Sequence, residues 1–173
     1  MEEYKPIKIG MKDNEDYEFS DRVVRKDGKI DIEGTLRNGV PVIFSPNGFS
    51  MYPVIYPGRD YAEVVPFAPE KLKRGDVAIY RRPGSILVIH RVWKHKKDGI
   101  YMVGDNQKEI EGPLSEECFF GKMTHLHRKG KRISVKNIRY VIPSRGWLFL
   151  RPFRQKLMRF AEVIKNLIKG GKK

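Results

Sequence analysis

Two neighbouring stretches, Leu72-Lys-Arg-Gly-Asp-Val-Ala-Ile-Tyr80 and Leu87-Val-Ile-His-Arg-Val-Trp93, decide the fold class. Each holds a short run rich in β-branched and aromatic residues, and Gly, Pro and charged residues punctuate the chain around them, which is the signature of a strand. Outward from them the pattern repeats at Val40 to Phe44, Tyr61 to Val65, Ile100 to Val103, Phe119 to His127 and Ile133 to Val135. Arg128-Lys-Gly-Lys-Arg132 reads as an exposed hairpin turn with solvated charges. The expectation is a mainly β domain over residues 30–143. Residues 1–29 are highly charged and poor in apolar side chains, so they read as a loosely ordered arm. Residues 144–173 read as a basic amphipathic helix. After Pro152, the residues Phe153, Leu157, Phe160, Ile164, Leu167 and Ile168 recur at helical spacing, and Arg154, Lys156, Arg159, Lys165 and Lys169 occupy the other face.

A chain of 173 residues with 40% hydrophobic side chains is long enough for one buried core. No stretch approaches the roughly 18 to 20 apolar residues of a membrane span, and the N-terminus lacks the pattern of a secretory signal. Cys118 is the only cysteine, so no internal disulfide supports the fold. The net charge of +14 draws the chain towards anionic surfaces. Trp147 and Phe149 precede the helical pattern and suit an interface, so residues 147–173 are expected to hold the protein peripherally to anionic membrane on the cytoplasmic side, with a free cytoplasmic protein as the alternative. Aromatic and basic residues are plentiful, but they form no base-stacking motif, and no nucleic-acid partner is expected. His125 and His127 share a strand face without a third ligand at a telling spacing, so no metal and no cofactor are expected.

Chemistry concentrates in three segments. Ser45-Pro-Asn-Gly-Phe-Ser-Met-Tyr-Pro53 offers Ser50 as a hydroxyl nucleophile in a backbone loosened by Gly48 and turned by Pro53. His90 interrupts an apolar strand, where desolvation disfavours the imidazolium and keeps the ring available as a base. Alternatively it is a structural histidine bonded to a backbone carbonyl. Met102-Val-Gly-Asp-Asn-Gln107 ends a strand in a Gly-Asp-Asn turn, with Glu109 and Glu111 just beyond.

In this order, Ser-Met-x-Pro, Arg-Gly-Asp with a strand, Ile-His-Arg-Val and Gly-Asp-Asn, the chain resembles the signal peptidase I-like serine peptidases from about Gly48 to Gly121. The likeness is to the branch with serine and histidine, found in the endoplasmic-reticulum type and archaeal enzymes. The resemblance implies a β-rich peptidase domain, a serine endopeptidase activity, and an extended peptide or precursor protein as substrate, preferably with small side chains beside the cut. It places the nucleophile at Ser50, the general base at His90 and the third member at Asp105 or, aligning best, at Glu111. Gly48, Met51 and Pro53 would border the substrate. Many bacterial members have a serine where this chain has Gly48, so its oxyanion hole would rely on backbone N–H groups including that of Ser50. Members that process secreted proteins carry a hydrophobic anchor helix, which is not found here. Two alternatives stand beside this resemblance: a self-cleaving repressor-like peptidase, whose kind shares the peptidase architecture, and a non-catalytic basic adaptor on membrane or nucleic acid, which the net charge suggests.

Overall fold

A computed structural model describes residues 6–9, 24–27, 29–82, 87–154, 156 and 159. In chain order the strands are β1 (Ile7–Ile9), β2 (Arg25–Lys26), β3 (Lys29–Ile30), β4 (Val42–Phe44), β5 (Asp60–Val65), β6 (Val77–Arg81), β7 (Leu87–Lys96), β8 (Gly99–Val103), β9 (Glu111–Leu114), β10 (Phe119–Arg128) and β11 (Lys131–Ser134). Helix α1 (Ile32–Arg37) lies between β3 and β4, and α2 (Ile138–Phe149) follows β11. The protein is therefore mainly β with a helix towards its C-terminus, as the sequence pattern predicts.

Nine of these strands form one sheet in the order β1-β4-β5-β10-β6-β7-β8-β9, with β11 paired to β10 off this path. All its pairings are antiparallel except that of β1 with β4. Strand β10 joins the two halves: its first residues pair with β6 and its later ones with β5 and β11. Side chains alternate between faces along a strand, and both faces of β6 are buried. Val77 and Ile79 enter one core cluster with Leu36, Val64, Met123 and Leu126; Ala78 and Tyr80 enter a second with Val92, Ile100, Met102 and Phe119.

The differences from the sequence expectation include an extra strand, paired charges at a turn and an early helix start, beside the unexpected elements β2, α1 and β9. Within the stretch read as a loose arm, Ile7–Ile9 is a strand whose Ile7 is buried, because parallel pairing with β4 gives a short apolar run a partner that local charge density does not reveal. The β10–β11 turn forms as expected, with Lys129 and Gly130 at positive φ, but its flanking charges are not merely solvated. Arg128 donates to Asp60 and to the Val54 carbonyl, and Arg132 donates to Glu63. His127 and His125 also face Glu63, at 2.7 and 3.2 Å. Burial alone would raise the Glu63 carboxyl, but these donors hold it down at about 2. The two histidines thus share a structural carboxylate, and the described residues contain no cluster suited to a metal.

Helix α2 also begins at Ile138, ahead of the expected start. Asn137 caps it by accepting from Arg139 N at 2.9 Å, and Pro143 lies inside it. Of the apolar stripe expected after Pro152, only Phe153 is among the described residues; Leu157, Phe160, Ile164, Leu167 and Ile168 lie outside them.

At the junction of β10 with its neighbours, a Cβ on Gly121 would sit 2.5 Å from both Ile79 Cγ2 and Val64 Cγ1. The strands close against each other because this position has no side chain. Gly121→Ala should therefore destabilise the fold by about 1–3 kcal/mol through overpacking. A lower urea midpoint at unchanged m-value is the expected result.

Candidate active site

Ser50 opens a tight turn between β4 and β5. Gly48 sits two residues earlier at φ +81°, a left-handed conformation that favours glycine. After Ser50 the backbone coils, with Tyr52 N donating to Phe49 O and Ile55 N to Met51 O. This puts Met51 and Ile55 on one side, where both are buried in the first core cluster. Met51 therefore anchors the loop and is not among the residues that line the space next to Ser50. Pro53 faces a different, smaller cavity beside Tyr140 and Trp147. Of the three expected substrate-bordering residues, only Gly48 lines the same space as Ser50.

That space is a cavity of about 770 Å³ whose wall includes Gly48, Ser50, His90, Arg82, Tyr61 and Gln107. Ile9, Ile32 and Phe44 contribute apolar wall. His90 reaches it from β7, where it lies opposite Ala78 and diagonal to Tyr80 on one sheet face. The ring is buried; burial first, and then the positive charge of Arg82, lower its pKa to about 4. It is consequently neutral at pH 7. No hydrogen bond among the described residues joins Ser50 to His90, although both line the cavity.

The two candidate acids part company. Asp105 is buried, and both its carboxylate oxygens accept from Arg91, at 2.8 Å from Nε and 2.7 Å from Nη2. Burial alone would depress Arg91, but the charge and hydrogen bonds of Asp105 raise it above its ordinary value. Asp105 is thus committed to Arg91, on the residue next to His90 whose side chain points to the opposite face. Glu111 accepts from the Tyr80 hydroxyl at 2.5 Å, and that hydroxyl lies 3.1 Å from His90 Nδ1. The other Glu111 oxygen accepts from Arg82. Glu111 therefore meets His90 through Tyr80, with no direct hydrogen bond between them. Burial drives the Tyr80 hydroxyl well above its usual pKa against the opposing pull of Arg82, so it keeps its proton at neutral pH.

The Gly104-Asp105-Asn106 turn instead supports the serine loop from behind. Asn106 N donates to Ser50 O at 2.8 Å, and a Cβ on Gly104 would meet the same carbonyl at 2.8 Å. Trp147 Nε1 donates to Asp105 O at 2.7 Å, and buried Arg154 donates to the Gly104 and Asp105 carbonyls. Both side chains, expected on a membrane-facing helix, are thereby committed to the domain.

Tyr80 and Arg82 were not among the expected site residues. The strand Asp76 to Tyr80 was legible, but which face Tyr80 shares with His90 depends on the β6–β7 register. Comparisons against family models, curated proteins and solved structures each found no match for this chain.

If Asp105 serves Arg91 and not His90, Asp105→Asn leaves a buried guanidinium without its counter-charge. Stability should fall by about 3–5 kcal/mol. The pH midpoint of any Ser50-dependent reaction should stay where His90 sets it. Urea unfolding and a pH profile of Ser50 labelling report the two effects separately.

Proposed function

We propose that this chain is a serine endopeptidase of the signal peptidase I-like kind, with Ser50 as nucleophile and His90 as general base. The observation that carries the reading is that a loop serine and a buried, neutral histidine line one cavity beside a strand edge that no second described strand pairs. Among the described residues, Leu87–His90 pairs only with β6, because β8 joins β7 from Arg91 onwards. An extended peptide added along that edge would run past Ser50, with backbone hydrogen bonds supplying affinity.

Ser50 attacks the scissile carbonyl as His90 takes its proton. The same ring returns that proton to the leaving amine, and water then hydrolyses the acyl-enzyme. Backbone N–H groups near Gly48 and Ser50 receive the oxyanion. Ser50 and His90 share no hydrogen bond in the free chain, and the mechanism requires that bond to form as substrate fills the cavity, as is common for catalytic pairs. Ser50→Ala and His90→Ala should each abolish cleavage of a peptide substrate and labelling by a fluorophosphonate. Because burial lowers His90 to about 4, activity should persist as pH falls to 5 and fade with an acidic midpoint near 4. A midpoint near the ordinary histidine value of about 6.5 would show His90 to be solvated.

The same reading places the enzyme at a membrane surface. No helix among the described residues is long and apolar enough to cross a bilayer. Along α2 and just past it, Ile138, Ile142, Phe149 and Phe153 recur at four- and seven-residue spacing and stand exposed, Phe149 at 81% and Ile142 at 63%. Arg139 and Arg145 lie on the same helix, and a cationic helix with an apolar stripe favours an anionic interface. Full-length protein should co-sediment with anionic vesicles better than with neutral ones. Ile142→Ser with Phe149→Ser should weaken that binding without loss of fold, because neither side chain is buried. Unchanged binding would assign the stripe another role.

A further inference from the structure

Four polar groups form an ordered chain behind the candidate base: Arg82, Glu111, Tyr80 and His90. They come from three elements, the end of β6, strand β9 and strand β7, so no local motif brings them together. The protons in this chain can be counted. A phenol has one proton to give, whereas a carboxylate paired with arginine has none and only accepts. Tyr80 sits 2.5 Å from Glu111 Oε2, the shorter and charge-assisted of its two contacts, so its proton goes there. Its oxygen can then only accept along the 3.1 Å contact with His90 Nδ1.

Resting on the peptidase reading above, we propose that Tyr80 is a positioning residue that sets the tautomer of His90. By giving its proton to Glu111, it requires Nδ1 to carry the imidazole proton and leaves Nε2 bare to accept from Ser50. Glu111 then acts on the base only through the phenol. The opposite tautomer would place a proton on Nε2, where it blocks transfer from the serine. Phe119 packs against the Tyr80 ring with centroids 5.1 Å apart, which holds the phenol in register, and a phenylalanine would fill the same volume.

The isosteric change Glu111→Gln separates this arrangement from a direct charge effect. Arg82 would draw the amide oxygen, turning the amide NH2 towards Tyr80. The Tyr80 oxygen then accepts from the amide, and its own proton swings to His90 Nδ1. Nε2 becomes the protonated nitrogen, and the base is disabled although no atom has been removed.

The test uses the full-length chain as wild type, Tyr80→Phe, Glu111→Gln and the double variant. Nitrogen-15 spectra of the histidine rings report the tautomer, and the rate of fluorophosphonate labelling at Ser50 reports function. Wild type should show His90 with its proton on Nδ1. Glu111→Gln should move it to Nε2 and slow labelling by about 100-fold or more, within the range of general-base effects. Tyr80→Phe should give mixed tautomers and a smaller loss, about tenfold, since the bias is removed and not inverted. In the Tyr80→Phe background, Glu111→Gln should add almost nothing, since members of one relay are not additive. A wild-type His90 protonated on Nε2, or a full Glu111→Gln penalty without the Tyr80 hydroxyl, overturns the proposal. A chain that never labels at Ser50 yet shows the tautomer switch on Glu111→Gln removes the peptidase reading and leaves the relay standing.

Discussion

The buried ion pair between Arg91 and Asp105 holds the candidate site together. Taking two charges out of water costs several kcal/mol per ion, so such a pair persists only where geometry is good and every remaining donor is satisfied. At Arg91 each of the three guanidinium nitrogens donates: Nε and Nη2 to Asp105, and Nη1 to the Gly75 carbonyl at 2.8 Å. It therefore ties the Arg74-Gly75-Asp76 turn to β7 on one side and the Gly104-Asp105-Asn106 turn on the other. Asn106 N then holds the Ser50 carbonyl. His90 is the neighbour of Arg91 on the same strand, so the candidate base and the candidate nucleophile are referenced to one rigid contact.

Strand parity lets one short segment serve both purposes. Along β7, Ile89 and Arg91 point one way, Ile89 into the first core cluster and Arg91 to Asp105, while His90 and Val92 point the other, Val92 into the second cluster. A register slip of one residue would exchange these sets, exposing the ion pair to the wrong face and withdrawing the imidazole from the cavity. Antiparallel pairing on both sides of β7 and the tight closure at Gly121 oppose such a slip. The same burial that orders the site desolvates His90, so its neutral form at pH 7 comes first from packing and then from the nearby Arg82 charge.

Helix α2 and the turn that follows it add a second tie. Trp147 and Arg154 bond to the carbonyls of Gly104 and Asp105, the turn that backs Ser50, while Ile138, Ile142 and Phe149 face outward. One face of this segment thus belongs to the domain and the other is left to solvent or a surface.

The strands were legible because β-branched and aromatic runs between glycines and prolines specify local backbone without reference to the rest of the chain. Seven runs, from Val40 to Val135, reappear within a few residues of their expected bounds. His90 stood out because it interrupts an apolar strand, whereas Ser50 and the Gly-Asp-Asn turn gained weight only from the order of the motifs along the chain, which resembles a family pattern. β1 was hidden because its stability comes from β4, some thirty-five residues away, and not from its own charged surroundings. Only the tertiary structure could divide the two acids, giving Asp105 to Arg91 and Glu111 to Tyr80. Hydrogen-bond partners depend on strand register and on how the sheet curls, and these are settled by the packing of the whole chain. The sequence alone therefore determined which segments are strands and which side chains are out of place in them. Which polar groups meet, and in what order, was decided by long-range pairing that no local spacing encodes.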